Sequence, residues 1–303
     1  MCMISQEIKS VSATKLFCGI NANKTRQFTV YANTVDNISK NNAMVLTVPF
    51  PSSVVFHNLE DYADFFADCE LCFEKPLSKG MYSTLNFRNE GMTDGPLEVY
   101  DIGSYKVSLA KSLDELKRVN TNVFVLSKGL DEILKKHYSN PIFGFIICKL
   151  AEGNEKYHPF AYSHEIAQEK VFIPTRHYHD ENINNFYNNY EMFTTRNYTN
   201  DNINNSPMFS SWNSSISSNS VKSKIDINDE YADDWDHDIY LYNVDVNTNS
   251  KVSKMNTCKE KWNGKNRLNL NKIEFPLDRN CRSFQKLNIS GNLPNIDIVL
   301  QSS

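Results

Sequence analysis

Five of the seven histidines fall in three short segments that also concentrate aromatic and acidic residues: His158-Pro-Phe-Ala-Tyr-Ser-His164, Phe172-Ile-Pro-Thr-Arg-His-Tyr-His-Asp180 and Asp234-Trp-Asp-His-Asp238. Side chains two apart on a strand project from the same face, so His177 and His179 form a facing pair. Such a pair suits a divalent transition metal, whose imidazole ligands converge at about 2.0–2.2 Å. His237 supplies a third ligand if its segment lies alongside, with Asp234 or Asp236 orienting an imidazole from behind. The same histidines also fit a sheet edge where they hydrogen-bond neighbouring Asp and Tyr. No cofactor is therefore firmly implied, and a divalent transition metal is the one the spacing admits.

Other chemistries find less support. Ser163 and His164 are sequence neighbours, which on a strand point to opposite faces, so they make no dyad. The chain has no G-x-S-x-G elbow, no phosphate-cradling G-x-x-x-x-G-K-[ST] loop and no G-x-G-x-x-G turn. Asp233, Asp234, Asp236 and Asp238 lack the Gly and terminal Glu of a calcium-binding loop, and read as an acidic exposed turn. Cys69 and Cys72 form a single C-x-x-C without the second pair of a zinc ribbon. Leu59, Tyr62, Phe66, Cys69 and Phe73 share one face of an amphipathic helix, which makes Cys69 a core residue.

The elements that position these residues can be read from pattern. Lys15–Ile20 and Gln27–Val35 read as strands around a polar turn, and Ala43–Phe50 and Phe143–Leu150 as buried strands. Leu97–Ala110 reads as one strand or two broken at Gly103. A helix is expected from Leu59 with Asn58 as N-cap, another after the capping box Ser112-Leu-Asp-Glu115, and a third over Leu130–His137 capped by Ser127 or Lys128. Tyr157–His164, Val171–His179, Ile239–Val246, Leu268–Phe275 and Ile296–Leu300 complete the strands. From Asn182 to Ser220 about half the residues are Asn or Ser, too polar to offset about 1–2 kcal/mol per residue of backbone ordering.

The expected organisation is an α+β unit over 1–180, a disordered Asn/Ser-rich insert over 181–230, and C-terminal strands over 231–303 that complete or flank the same unit. The fold class is α+β, a mainly antiparallel sheet or sandwich with two or three short helices. Because the insert starts after Val171–His179 and stops before Ile239–Val246, those strands are expected to pair as an enlarged hairpin.

The 303 residues carry a net charge of −4, which argues against a general nucleic-acid binder. No run approaches the about 18–20 apolar residues of a membrane span, and Met1–Ser10 lacks the apolar stretch of a secretory signal. Seven scattered cysteines without such a signal read as free thiols in a reducing, intracellular compartment.

The stretches Tyr157-His-Pro-Phe-Ala-Tyr, Val171-Phe-Ile-Pro-Thr-Arg-His-Tyr-His-Asp and Trp235-Asp-His-Asp-Ile-Tyr resemble an uncharacterised protein family with giant-virus and bacterial members. The resemblance spans about residues 15–180 and 234–243, and the Asn- and Tyr-rich composition is similar to that of mimivirus-like viruses. It supplies no activity. It implies that His177, His179 and His237 belong to one ordered unit, and that the Asn/Ser tract enlarges a loop that is short in other members. Asp180-Glu181 stands where the bacterial pattern has Asp-Gly.

Two functions follow as expectations. The first is a non-enzymatic structural or interaction protein of a large DNA virus, in host cytoplasm or virion, with protein partners recruited through the insert. The second is a metal-dependent hydrolase or oxygenase built on the histidine cluster.

Overall fold

Along the strand that begins the first hairpin, Leu16, Cys18 and Ile20 enter one core while Phe17 enters another. Apolar residues on both alternating faces require a sheet covered on both sides. The computed structural model shows that cover over the residues it describes: 3–73, 95–153, 157–178, 232–244, 257–262, 268–279, 281 and 283–301. The expected insert over 181–230 lies outside them.

The strands are β1 (Met3–Ile4), β2 (Ser10–Ile20), β3 (Arg26–Asp36), β4 (Ala43–Pro49), β5 (Val55–His57), β6 (Tyr100–Ile102), β7 (Tyr105–Ala110) and β8 (Phe143–Lys149). They continue as β9 (Phe160–Glu165), β10 (Lys170–Ile173), β11 (Ala232–Tyr242), β12 (Thr257–Lys261), β13 (Phe284–Pro294) and β14 (Ile298–Gln301), with α1 over Phe65–Leu71 and α2 over Lys128–His137. Seven strands form one sheet in the order β12-β13-β11-β2-β3-β9-β5, and five form a second in the order β1-β4-β8-β7-β6. All described pairings are antiparallel except β11 with β2. The expected α+β sandwich is the architecture observed.

Residues from both sheets meet in the central core, among them Leu16, Tyr31, Leu46, Ile146, Tyr162 and Ile239. α1 covers the far face of the seven-stranded sheet, packing Phe65, Phe66 and Cys69 on Phe17, Phe28 and Tyr240. α2 covers the far face of the five-stranded sheet, packing Leu130 and Leu134 with Val45, Phe145 and Ile147. All seven residues of β4 are buried, Thr47 among six apolar ones.

The expected hairpin between Val171–His179 and Ile239–Val246 does not form. β10 pairs with β14, and β11 enters between β2 and β13. Each placement buries both faces of the strand. Ile239 and Leu241 join Leu16 in the central core while Tyr240 and Tyr242 join Phe17 under α1. Val171 and Ile173 match Ile298 and Leu300 in the central core, and Phe172 turns to the α2 side. Buried Gln27 holds β10 in place as a strand neighbour would: Phe172 N–H donates to Gln27 Oε1 at 2.9 Å, and Gln27 Nε2 donates to the Phe172 carbonyl at 2.6 Å.

Leu268–Phe275 is not a strand. Its centre is a 3-10 turn, Leu270–Lys272, and the residues after it alternate, burying Ile273, Phe275 and Leu277 in the aromatic core with Glu274 and Pro276 exposed, without joining a strand. The helix expected from Leu59 with Asn58 as N-cap starts as a 3-10 turn whose N-cap is Leu59; Asn58, one residue earlier, accepts from Glu60 N–H through Oδ1 at 2.8 Å, and α1 proper begins at Phe65. The Ser112 box closes a 3-10 helix, with Glu115 N–H donating to Ser112 Oγ at 3.3 Å and Lys111 N–H to Glu115 Oε2 at 2.6 Å. Ser127 caps α2 as expected. Among the described residues no helix is long and apolar enough to cross a membrane.

Candidate functional site

The His158-Pro segment turns out to be a seat for the β6–β7 turn. Ser104 N–H donates to His158 Nε2 at 3.1 Å, so the neutral ring carries its proton on Nδ1, 3.0 Å from the Pro159 carbonyl. Tyr105 reaches back, its hydroxyl donating to the His158 carbonyl at 2.9 Å. Gly103 sits at φ +56°, and a Cβ there would fall 2.3 Å from His158 Nε2. Only glycine both adopts that conformation freely and leaves room for the imidazole.

At the other end of β9, His164 is fully buried, lies nearly parallel to Tyr162 and donates Nδ1–H to the Glu165 carbonyl at 2.7 Å. Burial pushes its pKa down to about 4, against the pull of that hydrogen bond, and the Arg26 charge adds to the depression.

A pair that sequence spacing conceals lies beside it. His57 on β5 and Ser163 on β9 are 106 residues apart, yet His57 Nε2 and Ser163 Oγ are 2.9 Å apart. That is the distance of a nucleophile and its general base. Its surroundings give it another role. Ser163 is 1% exposed, and Arg26 donates to its Oγ at 3.3 Å and to the Ser53 carbonyl at 2.8 Å. His57 packs against the Phe28 and Phe275 rings, and burial with the Arg26 charge pushes its pKa down to about 4. The pair pins short β5 to the sheet.

Of the expected metal ligands, His177 and His237 are both buried, and His179 lies outside the described residues. His177 follows β10, where Asn295 grips its backbone from both sides: His177 N–H donates to Asn295 Oδ1 at 2.9 Å and Asn295 Nδ2 donates to the His177 carbonyl at 2.7 Å. His237 sits on β11 opposite Thr14 and Ile289, with Asp236 N–H donating to its Nδ1 at 3.1 Å. Burial pushes the His237 pKa down to about 3, and His177 is near enough for its charge to add to the shift. His177 follows β10 and His237 lies on β11, which are not paired strands. Asp236 is exposed, Asp238 pairs with Lys286 at 3.4 Å, and the Asp234 side chain lies outside the described residues. Among the described residues no three His, Cys, Asp or Glu side chains converge as a metal site.

The thiols follow the same pattern. Cys18, Cys69, Cys72 and Cys148 are buried free thiols. Burial pushes Cys18 and Cys72 up to about 12 and Cys69 well above its ordinary value, which leaves them protonated and unreactive. Cys69 is the core residue of α1 that its helical spacing indicates.

No family model matches the chain, and no curated protein matches it. Solved structures of baculovirus P35 share 12–13% identity with it. The crystal structure of P35 aligns over 99% of both chains with a TM-score of 0.48. A mutated P35 after caspase cleavage aligns over 96% of this chain and 100% of that one with a TM-score of 0.43. The caspase-8/P35 complex aligns over 98% and 96% with a TM-score of 0.44. At that level of similarity the match carries no argument about this chain.

Proposed function

We propose that this chain is a non-enzymatic interaction protein of a large DNA virus. The observation that carries the non-enzymatic reading is positive: the side chains best suited to chemistry are built into the fold as fasteners. His57 and Ser163 tie β5 to β9, His158 seats the β6–β7 turn, and His164 and four thiols pack inside. The viral assignment is supported by the Asn-, Tyr- and Lys-rich composition and by the sequence resemblance to giant-virus proteins. Partner contact is assigned to the Asn/Ser-rich tract over 181–230 on its composition, polar residues with scattered aromatics.

Turnover decides between this reading and an enzyme. The purified full chain, screened against ester, amide, phosphoester and oxygenase substrates, is expected to show none above background. A turnover abolished by Ser163→Ala or His177→Ala would overturn the proposal. Caspase-8 serves as one defined partner probe, since it is the partner in a P35 complex. Stoichiometric loss of its peptidase activity with co-elution would assign the partner class, and full activity at excess chain removes that partner.

A second reading places a transition metal on His177, His179 and His237. It is favoured by one observation, the burial of His177 and His237 within electrostatic reach of each other. Zinc or iron titration of the purified chain tests it. Less than about one metal in ten chains after reconstitution, or equal binding by His237→Gln, sinks it.

A further inference from the structure

Away from the histidines, Tyr242 at the end of β11, Phe284 at the start of β13, Trp262 after β12 and Leu268 enclose a half-open cavity of about 310 Å³. That volume is at the lower end of small-molecule pockets, which run from about 300 to 1,000 Å³. Its walls are mainly aromatic and aliphatic, with Asn269 and Asn271 among them, and among the described residues that line it Arg279 is the one cation. Arg279 is exposed, and among the described residues no carboxylate pairs with it. A guanidinium presents a planar fork of donors matched to a carboxylate, and among the described residues of this rim none occupies it.

We propose that this pocket binds an amphipathic carboxylate, a short aromatic or branched apolar body among Tyr242, Trp262, Leu268 and Phe284 with its anionic end on Arg279. The apolar walls supply burial that is indifferent to charge, and Arg279 supplies the discrimination between an acid and its neutral analogue. The aromatic walls favour a flat ring over a long alkyl chain, because rings stack edge-to-face in a pocket of this size. The site is independent of the histidines and of the partner-binding tract, so it stands or falls separately from the proposed function.

The test uses two probes of one shape, 3-phenylpropionate and 3-phenylpropionamide, titrated into the full chain and followed by ligand-observed NMR. The acid is expected to bind with Kd of about 1 mM, as befits so small a ligand. The amide should bind about fivefold more weakly, the size of one partly exposed charge-assisted contact. Arg279→Gln should bind acid and amide alike. Cys281→Phe, which fills the cavity from its wall, should bind neither. Leu270→Trp enlarges another lining residue and replaces that variant if Cys281→Phe fails to fold by circular dichroism. No saturation of the wild-type chain, an acid preference that survives Arg279→Gln, or undiminished binding by a folded filled variant each overturns the proposal.

Discussion

The two outer faces of the sandwich are each covered by one short helix, but they are fastened by different physics. On the seven-stranded sheet α1 lies on an aromatic lattice. Phe17 meets Phe65 at 5.1 Å, and Tyr242 and Phe284 each at 6.1 Å. An ion cluster closes its rim, with Lys286 Nζ 2.9 Å and Lys15 Nζ 3.4 Å from the Glu70 carboxylate and the Tyr240 hydroxyl donating to it. On the five-stranded sheet α2 ends in one buried polar contact, Tyr138 to Asp297, and Asp297 Oδ1 also accepts Arg176 N–H at 2.9 Å. The redundant ion cluster on the first face and the one buried tyrosine–carboxylate contact beside α2's apolar packing on the second predict different sensitivities to polar substitution. The histidines divide the same way: His57, His164 and His237 lie on strands of the seven-stranded sheet, and no strand of the other sheet carries one.

The largest effect tests the lattice itself. Phe17→Ala should cost about 3–5 kcal/mol in urea unfolding, the usual range for a fully buried ring. A loss under about 1 kcal/mol would show that the lattice tolerates a hole and that the ion cluster carries α1. Acid provides the next contrast. With folded pKa values of about 4, His57 and His164 stay neutral inside while the unfolded chain takes up protons below about 6.5. Their contribution is complete above pH 6.5 and is lost as pH falls toward 4, up to about 3 kcal/mol for each group. Hydrogen exchange between those pH values should therefore rise first in the seven-stranded sheet, and His164→Gln should flatten the slope. Uniform acid loosening of both sheets would break the comparison.

Next comes the one tyrosine–carboxylate contact. Tyr138→Phe strands part of a buried carboxylate and should cost about 1–3 kcal/mol. The matched change on the other face, Tyr240→Phe, leaves Glu70 with both lysines and should cost about 0.5–1 kcal/mol. Equal losses for the two would mean that redundancy is irrelevant. Glu70 adds a pH signature of its own. Burial pushes its carboxyl up, but hydrogen bonds from Tyr240 and Lys286 and the charges of Lys286 and Lys15 outweigh it, and the net shift is downward. Its contribution is present above the ordinary carboxylate range and is lost as pH falls through the lower folded value.

Local pattern made part of this legible. β2 and β3 show in their alternation, β4 and β8 in largely apolar runs, and α2 in the Ser127 cap. Those signals act within a few residues. The insertion of β11 beside β2 joins residues more than 200 positions apart, and no local signal encodes which edge a strand will choose. The same limit hid the His57–Ser163 pair and suggested a hairpin that β10 and β14 replace. The segment at Leu268 misled for another reason. Its apolar residues serve one face only, which a strand and an irregular cover over a sheet share. The histidine-rich segments stand out in the sequence, and for His158 and His164 the reason is packing and turn geometry.

The parallel seat of β11 has a consequence for biosynthesis. On a ribosome β2 and β3 emerge together, but the neighbour that completes β2 follows more than 200 residues later. At about 5–20 residues per second the nascent hairpin waits on the order of 10–40 s with an unpaired edge bearing Phe17 and Leu16. Unpaired apolar edges recruit other strands. Chaperone occupancy on this nascent chain should therefore begin once β2 leaves the exit tunnel and end only after Tyr242 has followed.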